Sequence, residues 1–173
     1  EAVLFAALLA GAAVTLAGTE SDTPPLSGAI AFGALAWVRP EGPLFAACAF
    51  AALFVVAPRR PSLAAAARWF AVCALVVAPI WLWRWSYYHA ILPNTFYAKT
   101  ALSVGSLVRG LTCVGDFAVC WGALGFLFLA LAPLRARWQL PLTRFLFLAL
   151  PAFVLYVVWA GGDVLHLRFF VHV

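Results

Sequence analysis

The sequence predicts an all-α fold, a polytopic transmembrane helical bundle, and three observations predict it. Of the 173 residues, 66% are hydrophobic and 10% are charged, and mean hydropathy is +1.04. An ordinary soluble domain is about 45–50% apolar and about 25% charged, so a chain this short could not hide so much apolar surface from water. Apolar runs also recur along the whole length, separated by short turns rich in Pro, Gly and Arg. Finally, the arginines gather at the ends of those runs, where anionic lipid attracts them. The expectation is about six apolar segments plus a short interfacial helix, in a single transmembrane domain over 1–173. With Glu1 first, no methionine anywhere and Val173 inside a patterned segment, the chain reads as a piece cut at both ends of a longer one.

The net charge of +5 and pI near 9.4 would suggest nucleic acid in a soluble protein. Here membrane edges account for the arginines, and membrane lipids rather than nucleic acid are the expected contact. Cys48, Cys73, Cys113 and Cys120 have no CxxC spacing and read as small core residues. Cys113 and Cys120, seven apart on one helix, are poorly placed for a disulfide.

Taken in order, Ala2–Gly18 is an apolar segment of about 25 Å as a helix, short for a span. TESDTPP, residues 19–25, is a polar turn. The runs Leu26–Val38 and Pro43–Ala57 are each too short to cross comfortably and end at RPEG and RRP. Ser62–Trp83 is a transmembrane helix despite Arg68 and Pro79. Arg84–Thr100, RWSYYHAILPNTFYAKT, is a polar, aromatic-rich loop. Ala101–Val114 reads as an amphipathic interfacial helix and Gly115–Pro133 as a span. Arg135–Arg144 is a basic loop, Phe145–Ala160 the last complete span, and Gly161-Gly162-Asp163 a flexible turn after it. No internal repeat is present.

Positive-inside reasoning places the turns around Arg59, Arg60 and Arg68 and around Arg135, Arg137 and Arg144 in the cytoplasm. Six basic residues then stand against five on the opposite face. If every run crosses, Glu1, the Arg39–Glu41 turn, the Arg84–Lys99 loop and Asp163 all emerge together outside.

Those residues carry the chemistry. Arg39 and Glu41, in a tight Pro-Gly turn, form an ordinary inter-helix turn with an incidental ion pair, or one of them orients a headgroup or a neighbouring catalytic loop. Trp81, Trp83, Trp85, Tyr87 and Tyr88 make an aromatic belt, and Tyr87 and Tyr88 can also stack on or hydrogen-bond a sugar. Arg84 and Lys99 are cations at an interface, suited either to a lipid phosphate or to simple snorkelling. Pro93-Asn94-Thr95 is a turn, and Phe96 rules out a glycosylation sequon there. Asp163 can act as a general base, a metal ligand or a partner for Arg168. His89, His166 and His172 lack metal-motif spacing, so no cofactor is certain and a divalent cation stays open. Asp116 with Arg109 reads as a helix-surface pair or an interface anchor.

The order EAVLFAALLA, RPEG, YYHAILPNTFYAK and GGDVLHLRFF resembles that of polytopic GT-C-fold glycosyltransferases that use polyprenyl-phosphate sugars. Among these are mycobacterial terminal arabinofuranosyltransferases and uncharacterised bacterial homologues. The resemblance covers most of residues 1–173 and marks Glu1, Arg39, Glu41, Tyr87, Tyr88, Pro93, Asn94, Lys99, Gly162, Asp163 and Arg168. It implies a multi-pass protein of the bacterial inner membrane that moves a sugar from a polyprenyl-phosphate donor to a cell-envelope glycan or lipid acceptor on the outer face. It implies inversion at the sugar, with the catalytic carboxylate upstream of Glu1 and with Glu41 and Asp163 in support. The acidic TESDTPP departs from the basic cytoplasmic turn usual in that family. Two other readings compete. A transporter or flippase for a lipid-linked anion would line its path with the same charges but calls for repeat symmetry. A non-catalytic scaffold would need no outer-loop carboxylate.

Overall fold

The structure is a computed structural model that describes residues 2–17, 23–58, 61–89, 104–121 and 138–162, with side chains at 120 and 121 excepted. Every regular element among them is a helix. The helices are α1 (Ala2–Ala17), α2 (Leu26–Val38), α3 (Gly42–Phe50), α4 (Leu63–Tyr88), α5 (Val104–Trp121) and α6 (Pro141–Trp159). Two of them, α4 and α6, are long and apolar enough to cross a membrane. The first three apolar runs are shorter helices, so six full spans are not what the described residues show.

Local chemistry sets the boundaries. Pro25 has extended backbone just before α2, and Pro40 closes it, since the residue before a proline leaves the helical region. Pro43 sits in the first turn of α3, where its missing N–H costs nothing. The last turn of that run widens to a π-turn over Ala51–Val55, with the Val56 N–H bonding the Ala51 carbonyl at 2.9 Å. Ser62 caps α4 by accepting the Ala65 N–H at 3.2 Å.

Three expected boundaries are corrected. α4 does not stop at Trp83: it runs on to Tyr88, so Arg84–Tyr88 are helical rather than loop. It ends where His89 takes a left-handed conformation (φ 51°) and donates its N–H to Trp85 at 2.9 Å. The expected break between Val114 and Gly115 is absent, because α5 passes through both as one helix. The basic loop ends early: α6 starts at Pro141, and Arg144 lies buried in its first turn. With Arg144 internal, the loop-charge tally falls from six against five to an even count, and charge no longer orients the chain.

Close contacts fix how the helices run. The face of Gly28 meets Trp69, Gly33 meets Cys73 and Val76, and the Trp37 indole donates to the Val76 carbonyl at 2.8 Å. These contacts advance together along both chains, so α2 and α4 are parallel. The Trp37 bond falls beside Pro79, whose missing N–H leaves the α4 ladder one donor short. Phe45 packs on Phe153 (5.7 Å) while Arg144 reaches Ala52, so α3 and α6 are antiparallel. Phe32 meets Phe145 edge-on at 5.2 Å, and Phe5 meets Phe45 at 5.8 Å. The N-terminal ends of α1 and α3 and the C-terminal ends of α2, α4 and α6 therefore share one end of the bundle. The core is aromatic, with Trp69, Phe5 and Phe32 almost fully buried.

Candidate functional site

At that shared end the chain doubles back from α2 into α3 through Arg39–Gly42. Arg39 occupies the C-cap of α2 and Glu41 the N-cap of α3. Each charge thus opposes the helix dipole it sits on, cation at the negative end and carboxylate at the positive end. The two grip each other, Arg39 Nη2 to Glu41 Oε1 at 2.9 Å and Nε to Oε2 at 3.3 Å. The Glu41 side chain is 1% exposed and that of Arg39 15%. Gly42 is required here: a Cβ would run into the Leu35 backbone. The Arg39 guanidinium lies 5.8 Å from the centre of the Phe5 ring. Tyr156, the one phenol of α6, lies within the electrostatic reach of both Glu41 and Arg39. With both oxygens engaged and its side chain enclosed, Glu41 presents no open carboxylate edge to an outside acceptor.

Beside this turn α6 ends. The Gly161 N–H bonds the Val158 carbonyl at 3.2 Å and the Gly162 N–H bonds Val157 at 3.0 Å, the paired bonds of a Schellman cap. Both glycines have positive φ, 76° and 70°. They pack on α5: a Cβ on Gly161 would lie 3.1 Å from the Ser106 Cβ, and one on Gly162 3.0 Å from the Cys113 Cβ. The turn expected to be flexible is instead a wedged helix terminus. Ser106, Gly110 and Cys113, all buried and spaced four and three apart, form the seam of α5 against it. Arg109 and Asp116 are exposed on α5 but seven residues apart, beyond the spacing at which helix side chains pair.

The tip of α4 is a second, separate group. Val77 is its last buried residue, and Tyr88 lies twelve residues, about 18 Å, beyond the Val76 carbonyl that Trp37 reaches. Trp83 and Tyr87, one turn apart, stack at 5.8 Å with an 11° interplanar angle. Tyr88 meets both edge-on, at 5.7 Å from Trp83 and 4.7 Å from Tyr87. All three rings are exposed. Arg84 is half-buried, and its Nη1 is covered without a hydrogen-bond partner among the described residues. The structure thus joins Arg39 to Glu41 and gathers Arg84, Tyr87 and Tyr88 on one helix end, but it does not join the two groups. Glu1, Pro93, Asn94, Lys99, Asp163 and Arg168 lie outside the described residues.

Two contributors escaped the sequence reading. Arg144 looked like a loop cation, yet its Nε donates to the Ala52 carbonyl at 2.8 Å and its Nη1 to those of Trp138 (3.0 Å) and Gln139 (2.7 Å). Its signal was its place three residues after a helix-starting proline. Tyr156 offered a fainter one, a lone phenol in an apolar helix. Among the described residues no three His, Cys, Asp or Glu side chains cluster to hold a metal, and Cys48, Cys73 and Cys113 are buried free thiols.

Fold and site together define a class: an all-helical protein with two helices of membrane-crossing length and a cation-plus-aromatic tip on one of them. Comparison with known protein families, curated proteins and solved structures finds no match that would narrow it.

Proposed function

We propose that this chain belongs to a polytopic membrane glycosyltransferase that takes a sugar from a polyprenyl-phosphate donor and passes it to a cell-envelope glycan or lipid acceptor. Its place is the bacterial inner membrane, with the working face outward. The observation that carries the reading is the tip of α4, where a guanidinium nitrogen of Arg84, unpartnered among the described residues, shares a helix end with the Trp83–Tyr87 stack. A covered, unbonded donor is costly, and an oxyanion such as a phosphate relieves it with a strong, charge-assisted bond. Exposed parallel rings offer the apolar faces on which the C–H side of a sugar packs.

Depth supports the same reading. About 20 helical residues cross the hydrocarbon, so α4, starting at Leu63, reaches the headgroup layer near Leu82. Trp83–Tyr88 then lie at the level of a lipid phosphate. Lys99, Asn94, Asp163 and Arg168 enter the proposal from sequence, Lys99 as a second phosphate cation and Asp163 as an orienting carboxylate. Arg39 and Glu41 are assigned to building the face, not to proton transfer.

The test is transfer of radiolabelled sugar from a polyprenyl-phosphate donor by membranes containing the protein, compared with Arg84→Ala, Tyr87→Ala and Lys99→Ala. Loss of one charge-assisted bond is worth about 1.5–3 kcal/mol, so Arg84→Ala should weaken donor use roughly ten- to hundredfold at an unchanged protein level. Wild-type transfer by all three variants, or no transfer from any such donor by folded protein, refutes the assignment.

A further inference from the structure

We infer that Pro79 is a hinge on which the tip of α4 closes over the end of the bundle that holds the Arg39–Gly42 turn. α4 has two unlike halves. Ala65, Trp69, Cys73 and Val77 recur four apart and form its buried stripe, whereas no residue from Ala78 to Tyr88 is buried. The neighbouring helix stops at the same level: α2 ends at Val38, and its Trp37 indole donates to the Val76 carbonyl at 2.8 Å. Pro79 stands where the anchored half gives way to the free one. It has no N–H for the Leu75 carbonyl, and its ring crowds that carbonyl, so the helix is weakest in the turn between them.

Register sets the direction of closing. Pro79 follows Val77 by two residues, about 200° around the helix, so it lies on the face turned away from the bundle. Leu75, two residues before Val77, lies there as well, and both are exposed. Crowding on that outer face opens the helix outward and bends the tip inward. Arg84 and Tyr88 stand seven and eleven residues after Val77, so they prolong the buried stripe and occupy the inner side of the bend. Closing carries the Arg84 guanidinium toward the bundle end, and opening withdraws it. The Trp37 bond steadies the base, because the Val76 carbonyl keeps that donor while the turn above it opens. The hinge stands on helix geometry; that it carries a lipid-phosphate sugar in and out rests on the function proposed above.

The test measures distances by pulsed electron paramagnetic resonance on the whole chain in mixed micelles. Nitroxides are attached through a keto amino acid, which spares the native cysteines. One label replaces Leu26 at the start of α2, and the other replaces either Leu75 below the hinge or Ser86 beyond it; all three positions are exposed. Ser86 is seven residues past Pro79, about 10 Å, so a change of about 20° in bend moves it by about 4 Å. The expected result is a Leu26–Ser86 distribution about twice as wide as the Leu26–Leu75 one, narrowed to the same width by Pro79→Ala. That variant restores a helix donor, and an unchanged Leu26–Leu75 distance shows that the bundle is intact. A wild-type Leu26–Ser86 distribution as narrow as the control overturns the hinge. So does a wide one that Pro79→Ala leaves unchanged, since the tip then frays instead of swinging. A Leu26–Leu75 distance that moves with Pro79→Ala overturns the placing of the hinge above Leu75. No donor is present in the measurement, so the hinge and sugar transfer can fail separately.

Discussion

Replacing Arg144 by Met keeps much of the side-chain volume and removes the fork that holds three backbone carbonyls. The widened turn at Ala51–Val55 ends with carbonyls that have no helical donor, and the Arg144 Nε meets the one on Ala52 at 2.8 Å. Its Nη1 ties down the Trp138 and Gln139 carbonyls that lead into α6. A hydrogen bond to a charged group contributes about 1.5–3 kcal/mol, and three would give well above 4. Gln139 and Leu140 are exposed, however, so water can take over at that end. The loss then falls mainly on the buried Ala52 carbonyl, and the expected destabilisation is about 2–4 kcal/mol. Arg144→Lys keeps the charge near the helix C-terminus but cannot span all three acceptors, so it should fall between the two. Reversible unfolding in mixed micelles, followed by tryptophan fluorescence, reads the difference. If Arg144→Met unfolds within about 0.5 kcal/mol of wild type, the capping argument is wrong, because a value that small is what an exposed surface substitution gives.

Arg39→Gln should cost about 3–5 kcal/mol by stranding the Glu41 carboxylate, and adding Glu41→Gln should recover most of it; a double-mutant cycle in the same unfolding assay decides. Gly110→Ala places a methyl carbon 2.7 Å from the Val158 Cα, so α5 must leave α6 at a cost of about 1–3 kcal/mol, visible as faster proteolysis of α5. Gly161→Ala must hold φ 76° against the Ser106 Cβ, a penalty of about 1–2 kcal/mol that a thermal melt would show. Trp37→Phe keeps the ring and drops its bond to Val76, which should cost about 1 kcal/mol and quicken hydrogen exchange of α4 near Pro79.

Helices were legible in this sequence and their ends were only partly so. Leu26–Val38 could be read to the residue because prolines flank it, and proline acts locally through a fixed dihedral and a missing donor. The end of α4 could not, since no breaker separates Trp83 from Tyr88 and the stop depends on His89 adopting a conformation its side chain does not advertise. Gly161-Gly162 showed itself as a terminus but not as a rigid one: whether two glycines flex or lock depends on what packs on them, here Ser106 and Cys113 from another helix. Arg144 misled for the same reason, its carbonyl partner on Ala52 lying 92 residues away.

That contrast separates the polar residues by what already satisfies them. Arg39 and Glu41 spend their charges on each other and on two helix ends, and Arg144 spends its own on three carbonyls. Each accounts for an intrusion of charge into an apolar bundle without a ligand. Arg84 is different: it stands past the last buried residue of α4, with a covered nitrogen unbonded among the described residues and three aromatic rings on the same helix end that pack on one another. Folding alone gives little reason to keep a cation there, because a Leu at that position would bury as well and strand nothing. The proposed sugar-phosphate donor would supply the reason: its anion, at the headgroup level, would pair with the guanidinium while leaving the rings free to hold the sugar.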